Sequence, residues 1–393
     1  MSDLEADIRA RFGLADIAQS GPPAGARPLA DWRITRYADC QEALRHQSVT
    51  TIDMAQEMWV LQRSRSVDLP SLASFMSGVL IARTSPFHPK GREFLRILQK
   101  SAPASPEAIA DHANTLLSGV ATGEPCDMVP ICNALPLVVV ADYAGLDRDT
   151  ISHLDHANRK IMIQWAAGPN TAPLPYLDQE AGKVTKCVLD AIAAARRAGA
   201  GRLHDAVELG SRRFELDDEE ICGLLLFLIV AAVETSAGFL ANLVLLMQRH
   251  PQFAEAAMQT KAPRNRLVEE AMRFLGPVRR GSRRRATAAV EIGGQQISAG
   301  SSLFIDFEAA HHDPLAFPDP WLFDPERKGP VTLGFGAGAH TCVGSRPGRQ
   351  MAALFLDAMT AYRIEPADDG PPDWIPHPGF RMPGSLPSVL TPR

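Results

Sequence analysis

Hydrophobic residues recur at three- and four-residue intervals through the middle of the chain. This spacing predicts helices over Ala108–Gly123, Leu135–Gly145, Thr150–Ala167, Pro175–Ala200 and Asp217–His250. The last of these opens on Asp217 with Glu220 in capping-box position, and it would extend about 50 Å at 1.5 Å per residue. Its longest apolar run, Ile221–Val233, falls short of the ~18 residues a bilayer span needs, so the pattern reads as a helix buried inside a large protein. Towards the amino end, Trp32–Tyr37 reads as a strand and Ala38–His46 as a helix opening on Asp39. From Thr50 to Pro89 the apolar residues show no sustained period, and Pro86 and Pro89 act as breakers, which predicts a long loop. After Pro277 the texture changes. Val290–Ile297 and Leu303–Asp306 read as short strands around Gly293-Gly294 and Ala299-Gly300 turns. Asp313–Pro330 is Pro-rich and irregular, a last helix covers Gly344–Ala361, and loop with short strands follows from Pro366. The predicted fold class is mainly α with small β-sheets.

Length and composition narrow this. With 393 residues, 46% of them hydrophobic, the chain can bury a large core as one big domain or two ordinary ones. A net charge of -5 gives no global basic field that would favour nucleic acid or an anionic membrane. Six cysteines, at 40, 126, 132, 187, 222 and 342, lack C-x-x-C or other regular spacing, which argues against a disulfide framework or a zinc site and fits a reduced, cytoplasmic setting. Met1–Phe12 alternates acidic and basic residues without an apolar stretch, so neither a signal peptide nor a membrane anchor is expected there.

The most distinctive chemistry lies in Phe335-Gly-Ala-Gly-Ala-His-Thr-Cys-Val-Gly344, a glycine-rich turn that places one cysteine at the entrance to a helix. Gly336, Gly338 and Gly344 permit backbone conformations closed to other residues and let main chain approach a flat ligand. A cysteine near a helix amino terminus meets free N–H groups and the positive end of the dipole, which stabilise its thiolate. Phe335, Gly338, His340, Cys342 and Gly344 occupy every fixed position of F-x-x-G-x-H-x-C-x-G, and the segment resembles the haem-binding loop of the cytochrome P450 family. The resemblance implies the P450 fold, with haem b buried between the long central helix and the cysteine-loop helix. Cys342 would ligate the iron, Phe335 would pack beside its sulfur, and His340 would reach a haem propionate. Where the family usually continues with Leu-Ala-Arg, this chain has Pro347-Gly348-Arg349, which the first turn of a helix tolerates.

Further segments fit the same family. Glu270-Ala-Met-Arg273 matches its E-x-x-R motif on a helix, and the resemblance implies a buried charge cluster with Arg327. By itself such a pair reads as an ordinary solvated ion pair. Ala231-Ala-Val-Glu-Thr235 resembles the oxygen-activation motif, in which Glu234 and Thr235 would relay protons. The alternative is a threonine bonded back to its own helix. The family more often has glycine where Ala232 stands. His88 and Arg92, four apart on one helix face, match H-x-x-x-R, and Arg284 matches a strand arginine that binds a propionate. Counting from Pro277 selects Arg283 instead. His311-His312-Asp313 is not expected to bind metal, because neighbouring residues point apart in a strand.

The resemblance covers roughly residues 30 to 390, so the chain is expected to be a single catalytic domain over 1–393 with about 25 peripheral amino-terminal residues. No fused reductase is expected, which implies a ferredoxin or flavodoxin as electron donor. Arg96, Lys100, Arg346 and Arg349 are basic residues available to an acidic partner. The substrate pocket would draw on Leu226, Val230, Ala231, Val278, Arg279 and Arg280, mostly apolar, which suits a hydrophobic small molecule. An arginine of the Arg279-Arg280 pair could meet a substrate carboxylate. The expected activity is hydroxylation or epoxidation with dioxygen. Oxidative coupling, cyclisation, peroxide-dependent oxidation, and a haem-binding protein without turnover remain as alternatives.

Overall fold

A buried strand alternates its side chains, and that alternation organises the carboxy-terminal third of this protein. The computed structural model describes residues 31–393 apart from 102–104, 121, 167–172, 282, 369 and 378, together with the side chains of those residues other than 165 and 166. Met1–Phe12 and the predicted helix end at Ala167 therefore lie outside the described residues. The chain forms two compact units, neither continuous in sequence. One takes the segment up to Thr50, Pro106–Leu135 and Thr235–Arg393; the other takes Thr51–Ser105 and Pro136–Glu234. Mainly helical structure with small sheets matches the predicted class.

In the first unit, strand Trp32–Ile34 pairs parallel with Ser302–Ile305, Ile34 opposite Ile305, and Arg284–Ala286 pairs antiparallel on the other side. Ile34, Ala286, Leu303 and Ile305 point into a core shared with Cys40, Ala43, Phe307 and Phe317. The hairpin Val290–Ile292 and Gln295–Ile297 turns on Gly293 and Gly294, at φ 57° and 75°, a conformation that favours glycine. A second sheet joins Pro125–Asp127, Pro387–Pro392 and Tyr362–Pro366. Helices Lys261–Leu275 and Ser345–Ala358 complete the frame around the cysteine loop.

The second unit corrects the loop predicted over Thr50–Pro89. Helices Met54–Arg65 and Pro70–Ser77 and a short turn at Leu80–Ala82 fill it, and helix Phe87–Ser101 begins before Pro89. The signals were caps rather than periodicity. Asp53 accepts from Ala55 N (3.0 Å) and Gln56 N (3.4 Å), and Pro70 occupies the first helical turn. Met54–Arg65 buries only Met58, so no apolar stripe announces it. Helices Arg202–Phe214, Pro251–Gln259 and Phe307–His311 also formed where none was expected, each short or cut off from its neighbour by Gly or Pro.

The long helix runs Asp218–Arg249, with Asp217 Oδ1 accepting from Glu220 N at 2.8 Å and Glu220 accepting from Asp217 N at 3.1 Å. Taken whole, it is long and apolar enough to cross a membrane, which the apolar run alone had argued against, yet 67% of its most apolar stretch is buried inside the protein. Its Gly223 meets Gly78 so closely that a Cβ on Gly223 would stand 2.8 Å from Gly78 Cα. Gly223→Ala should therefore destabilise the protein by about 1–3 kcal/mol, whereas Gly119→Ala, with only ordinary contacts, should leave stability nearly unchanged. Thermal or urea denaturation of the two variants checks this, and equal midpoints would refute it.

Candidate functional site

The cysteine loop is a succession of tight turns. Gly336 N donates to Leu333 O (2.7 Å), Cys342 N to Phe335 O (2.8 Å), Ser345 N to Cys342 O (3.3 Å) and Gly348 N to Gly344 O (2.8 Å). Gly336 and Gly338 hold φ near 68° and 70°, and a Cβ on Gly338 would overlap Leu44 O. Helix Ser345–Ala358 begins directly after Gly344, so Cys342 stands before its first turn, and a Cβ on Gly344 would lie 3.6 Å from the Cys342 sulfur. Of the six cysteines, Cys342 is the exposed one. Burial raises the thiol pKa of Cys40 and Cys132 well above the usual range and pushes Cys222 up to about 12, so these are inert as thiolates.

Strand alternation decides which arginine points inward. Arg284 and Ala286 are buried, while Arg283 and Arg285 are exposed. Burial lowers the Arg284 pKa to about 10, so a carboxylate brought to its guanidinium would offset a real desolvation cost. An accessible thiol beside glycines, with a buried arginine in the same unit, fits a flat, thiolate-ligated cofactor that carries carboxylates. His340 ends the short turn Gly338–His340 in this loop.

In the second unit, His88 is buried and Arg92 half-buried, one turn apart on helix Phe87–Ser101. Glu234 is buried, and desolvation raises its carboxyl pKa. Arg159 opposes that shift and Asp155 adds to it. Asp155 and Arg159 are themselves paired at 2.9 Å on helix Arg148–Ala166. Sequence reasoning missed both, although their i,i+4 spacing was legible. Thr235, next along the long helix, is half-buried and belongs to the first unit.

The E-x-x-R residues meet deep in the first unit. Arg273 donates to Glu270 through Nε (2.8 Å) and Nη2 (2.7 Å), and through Nη1 to His311 O and Pro320 O, both at 2.8 Å. Arg327 Nε reaches Glu270 at 3.3 Å, and its other nitrogens bond Pro318 O, Asp319 O and Leu322 O. His311 lies at the end of helix Phe307–His311 rather than in a strand. Its Nε2 accepts from Leu333 N at 2.8 Å, which ties this core to the cysteine loop. His312 stacks on Trp321 with centroids 4.1 Å apart. Among the described residues, no group of His, Cys, Asp and Glu is placed to hold a metal ion.

Of the remaining pocket candidates, Leu226 is buried, with its carbonyl accepting from Asn158 at 3.5 Å, and Val230 and Ala231 are half-buried. Val278 bridges to Phe380. Arg279 turns inward to Glu308 at 2.8 Å, which also contacts Arg381, while Arg280 lies over the Phe304 ring at 5.3 Å. Glu308 had drawn no notice in the sequence. It takes up the charge that Arg279 was expected to offer a substrate.

The Cytochrome P450 family profile matches residues 264–390, which span the Glu270 cluster, Arg284 and the cysteine loop. The chain belongs to the cytochrome P450 family. Cyclomarin C epoxidase CymV of Salinispora arenicola (strain CNS-205) is 29% identical over 377 residues, 90% of this chain and 89% of that protein. Polyketide biosynthesis cytochrome P450 PksS of Bacillus subtilis (strain 168) is 25% identical over 84% of this chain and 80% of its own length. Among solved structures, CalO2 superposes with TM-score 0.83 at 21% identity, covering 100% of this chain and 98% of that one. The P450 enzyme CxnD, described as forming a C–S bond, superposes with TM-score 0.80 at 22% identity over 93% and 90%. The fold is that of a P450, and the chain is a P450 oxidoreductase of bacterial type.

The buried histidines should make this P450 acid-sensitive. Desolvation holds His311 and His312 well below the usual imidazole pKa, so both stay neutral in the fold while the unfolded chain titrates near 6.5. Their contribution to stability is complete above that pH and lost as pH falls below it, by up to about 1.4 kcal/mol per pH unit for each. Urea midpoints measured from pH 7.5 to 5 should decline, and less steeply in the double variant His311→Asn, His312→Phe. Identical slopes would rule the histidines out as the cause.

Proposed function

We propose that this P450 is a monooxygenase that hydroxylates or epoxidises a hydrophobic small molecule, with haem b as the cofactor whose iron Cys342 would ligate. The observation that carries the reading is the exposed Cys342 thiol at the mouth of helix Ser345–Ala358, inside a loop whose glycines allow a flat group to approach. A thiolate-bound haem supplies activation of dioxygen by favouring O–O cleavage. Phe335, Gly336 and Gly344 shape the ligand turn; Arg284 and His340 of the first unit would serve propionates as charged or hydrogen-bonding donors, and His88 and Arg92 of the second unit have the same chemistry to offer. Glu234 and Thr235 relay protons. Burial keeps the Glu234 carboxyl protonated to higher pH than usual, which suits a group that must give up a proton and be recharged through Asp155 and Arg159.

The full chain acts as one catalytic domain, a reading supported by the interleaving of its two units along the sequence and by relatives matched over most of their length. The substrate belongs to small-molecule biosynthesis, as the names of CymV and PksS suggest for those relatives. Leu226, Val230 and Ala231 of the long helix are apolar groups for such a substrate, and Val278 is a further apolar residue in the first unit. Arg279, being matched by Glu308, does not select a carboxylate, and Arg280 is the cation left to do so. Electrons come from an external ferredoxin or flavodoxin in the cytoplasm. Arg96 is engaged by Glu93 and Arg349 by Glu269, which leaves Lys100 and Arg346 as the exposed cations for an acidic donor.

The reduced, carbon-monoxide-bound protein should show the absorption band particular to thiolate-ligated haem, and Cys342→Ser should lose it. A folded wild-type protein without the band would overturn the assignment. In turnover with a substrate that shifts the spin state, Thr235→Ala should consume dioxygen at the expense of product, roughly tenfold or more in coupling. Coupling equal to wild type would remove Thr235 from the relay.

A further inference from the structure

Phe335 and Cys342 are held to the same turn of helix by two glycines four residues apart. A Cβ on Gly344 would touch the Cys342 sulfur at 3.6 Å, and a Cβ on Gly348 would touch the Phe335 ring at 3.7 and 3.9 Å. Gly344 caps helix Ser345–Ala358 and Gly348 lies one turn further on, so sulfur and ring both pack at the start of that helix. Arg349 stands over that ring, its guanidinium carbon 4.3 Å from the centroid. Arg349 is not loose. Glu269 of helix Lys261–Leu275 grips it through both carboxylate oxygens, the Nη2–Oε2 contact being 3.1 Å, and Ser345 O lies 3.4 Å from Nη1. The bidentate grip orients the planar fork, and a guanidinium over a ring face is attracted by the ring's negative quadrupole. The side chains of Arg349 and Glu269 are 32% and 45% exposed, so solvent moderates the field without removing it.

We infer that Arg349, clamped by Glu269 against the Phe335 ring, is a positioning residue that sets the reduction potential of the iron held by Cys342. The inference rests on Cys342 being that ligand. Reduction adds one negative charge at the iron, and a nearby cation favours the reduced form. The carboxylate of Glu269, lying beyond the guanidinium, offsets part of that effect. The two partners of one ion pair must therefore act with opposite sign. A merely structural clamp would make their removal act alike, because either loss frees the same ring.

The test is potentiometric titration of the haem-loaded protein. Arg349→Gln should shift the potential to more negative values and Glu269→Gln to more positive ones, with Arg349→Lys between Gln and wild type. A second variant separates charge from packing. Gly348→Ala added to Arg349→Gln places a methyl against the Phe335 ring and should leave the negative shift in place. Shifts of the same sign in Arg349→Gln and Glu269→Gln, or restoration by Gly348→Ala, would overturn the inference. If the wild-type protein lacks the thiolate band, it is the ligand assignment that fails, and the two failures are thereby distinct. Glu269 is exposed enough for its variant to fold, so the sign of its shift is measurable even if Arg349→Gln proves unstable.

Discussion

A buried guanidinium has to be satisfied on every side, and Arg273 imposes that demand on the whole first unit. Its five N–H donors are drawn to Glu270 on its own helix and to carbonyls of His311, Pro320 and Leu322. The irregular stretch after Asp313 is wrapped around it, and Arg327 closes the circle through Glu270, the carbonyls of Pro318 and Asp319, and the Leu322 carbonyl that it shares with Arg273. A segment without regular backbone pairing is thus ordered by two arginines and one glutamate. Removing one charge would leave the others buried without compensation, so the cluster is strongly coupled.

From that cluster a continuous path of hydrogen bonds reaches the cysteine. His311 O accepts from Arg273 while its ring nitrogen accepts from Leu333 N. Leu333 O accepts from Gly336 N, and Phe335 O from Cys342 N. Each step fixes the next turn of backbone, which is how residues far from the thiol in sequence decide where it stands. The histidine must remain neutral to accept from Leu333, so burial of its ring is part of what holds the loop. Neighbouring Glu269 adds a second tie, reaching over to Arg349 on the cysteine-loop helix.

Elsewhere the same economy of buried charge appears with different partners. Glu308 lies between Arg279 and Arg381 and ties the turn after Pro277 to the segment around Arg381, while Asn242 of the long helix joins that segment to the end of helix Lys261–Leu275 through Arg381 O and Leu275 O. In the second unit, burial does most to raise the proton affinity of Glu234, and the Asp155–Arg159 pair modifies it, Arg159 opposing the shift and Asp155 adding to it. These partners are distant in sequence, and no local pattern joins them.

By itself the sequence determined what depends on local order. Helical spacing located most of the long helices, paired glycines marked the hairpin at Gly293-Gly294, and the cysteine loop declared itself because its turns need glycine at particular places. The path of Thr50–Pro89 was not legible, since Met54–Arg65 buries one residue and leaves no stripe to read. Between Arg283 and Arg284 only strand alternation could choose, because inward and outward faces exist only once the sheet has formed. The partners of Arg273, Arg279 and Arg349 were likewise decided by tertiary structure. Burial is a property of the folded surround, and a charge finds its counter-charge only among groups that the fold brings to it.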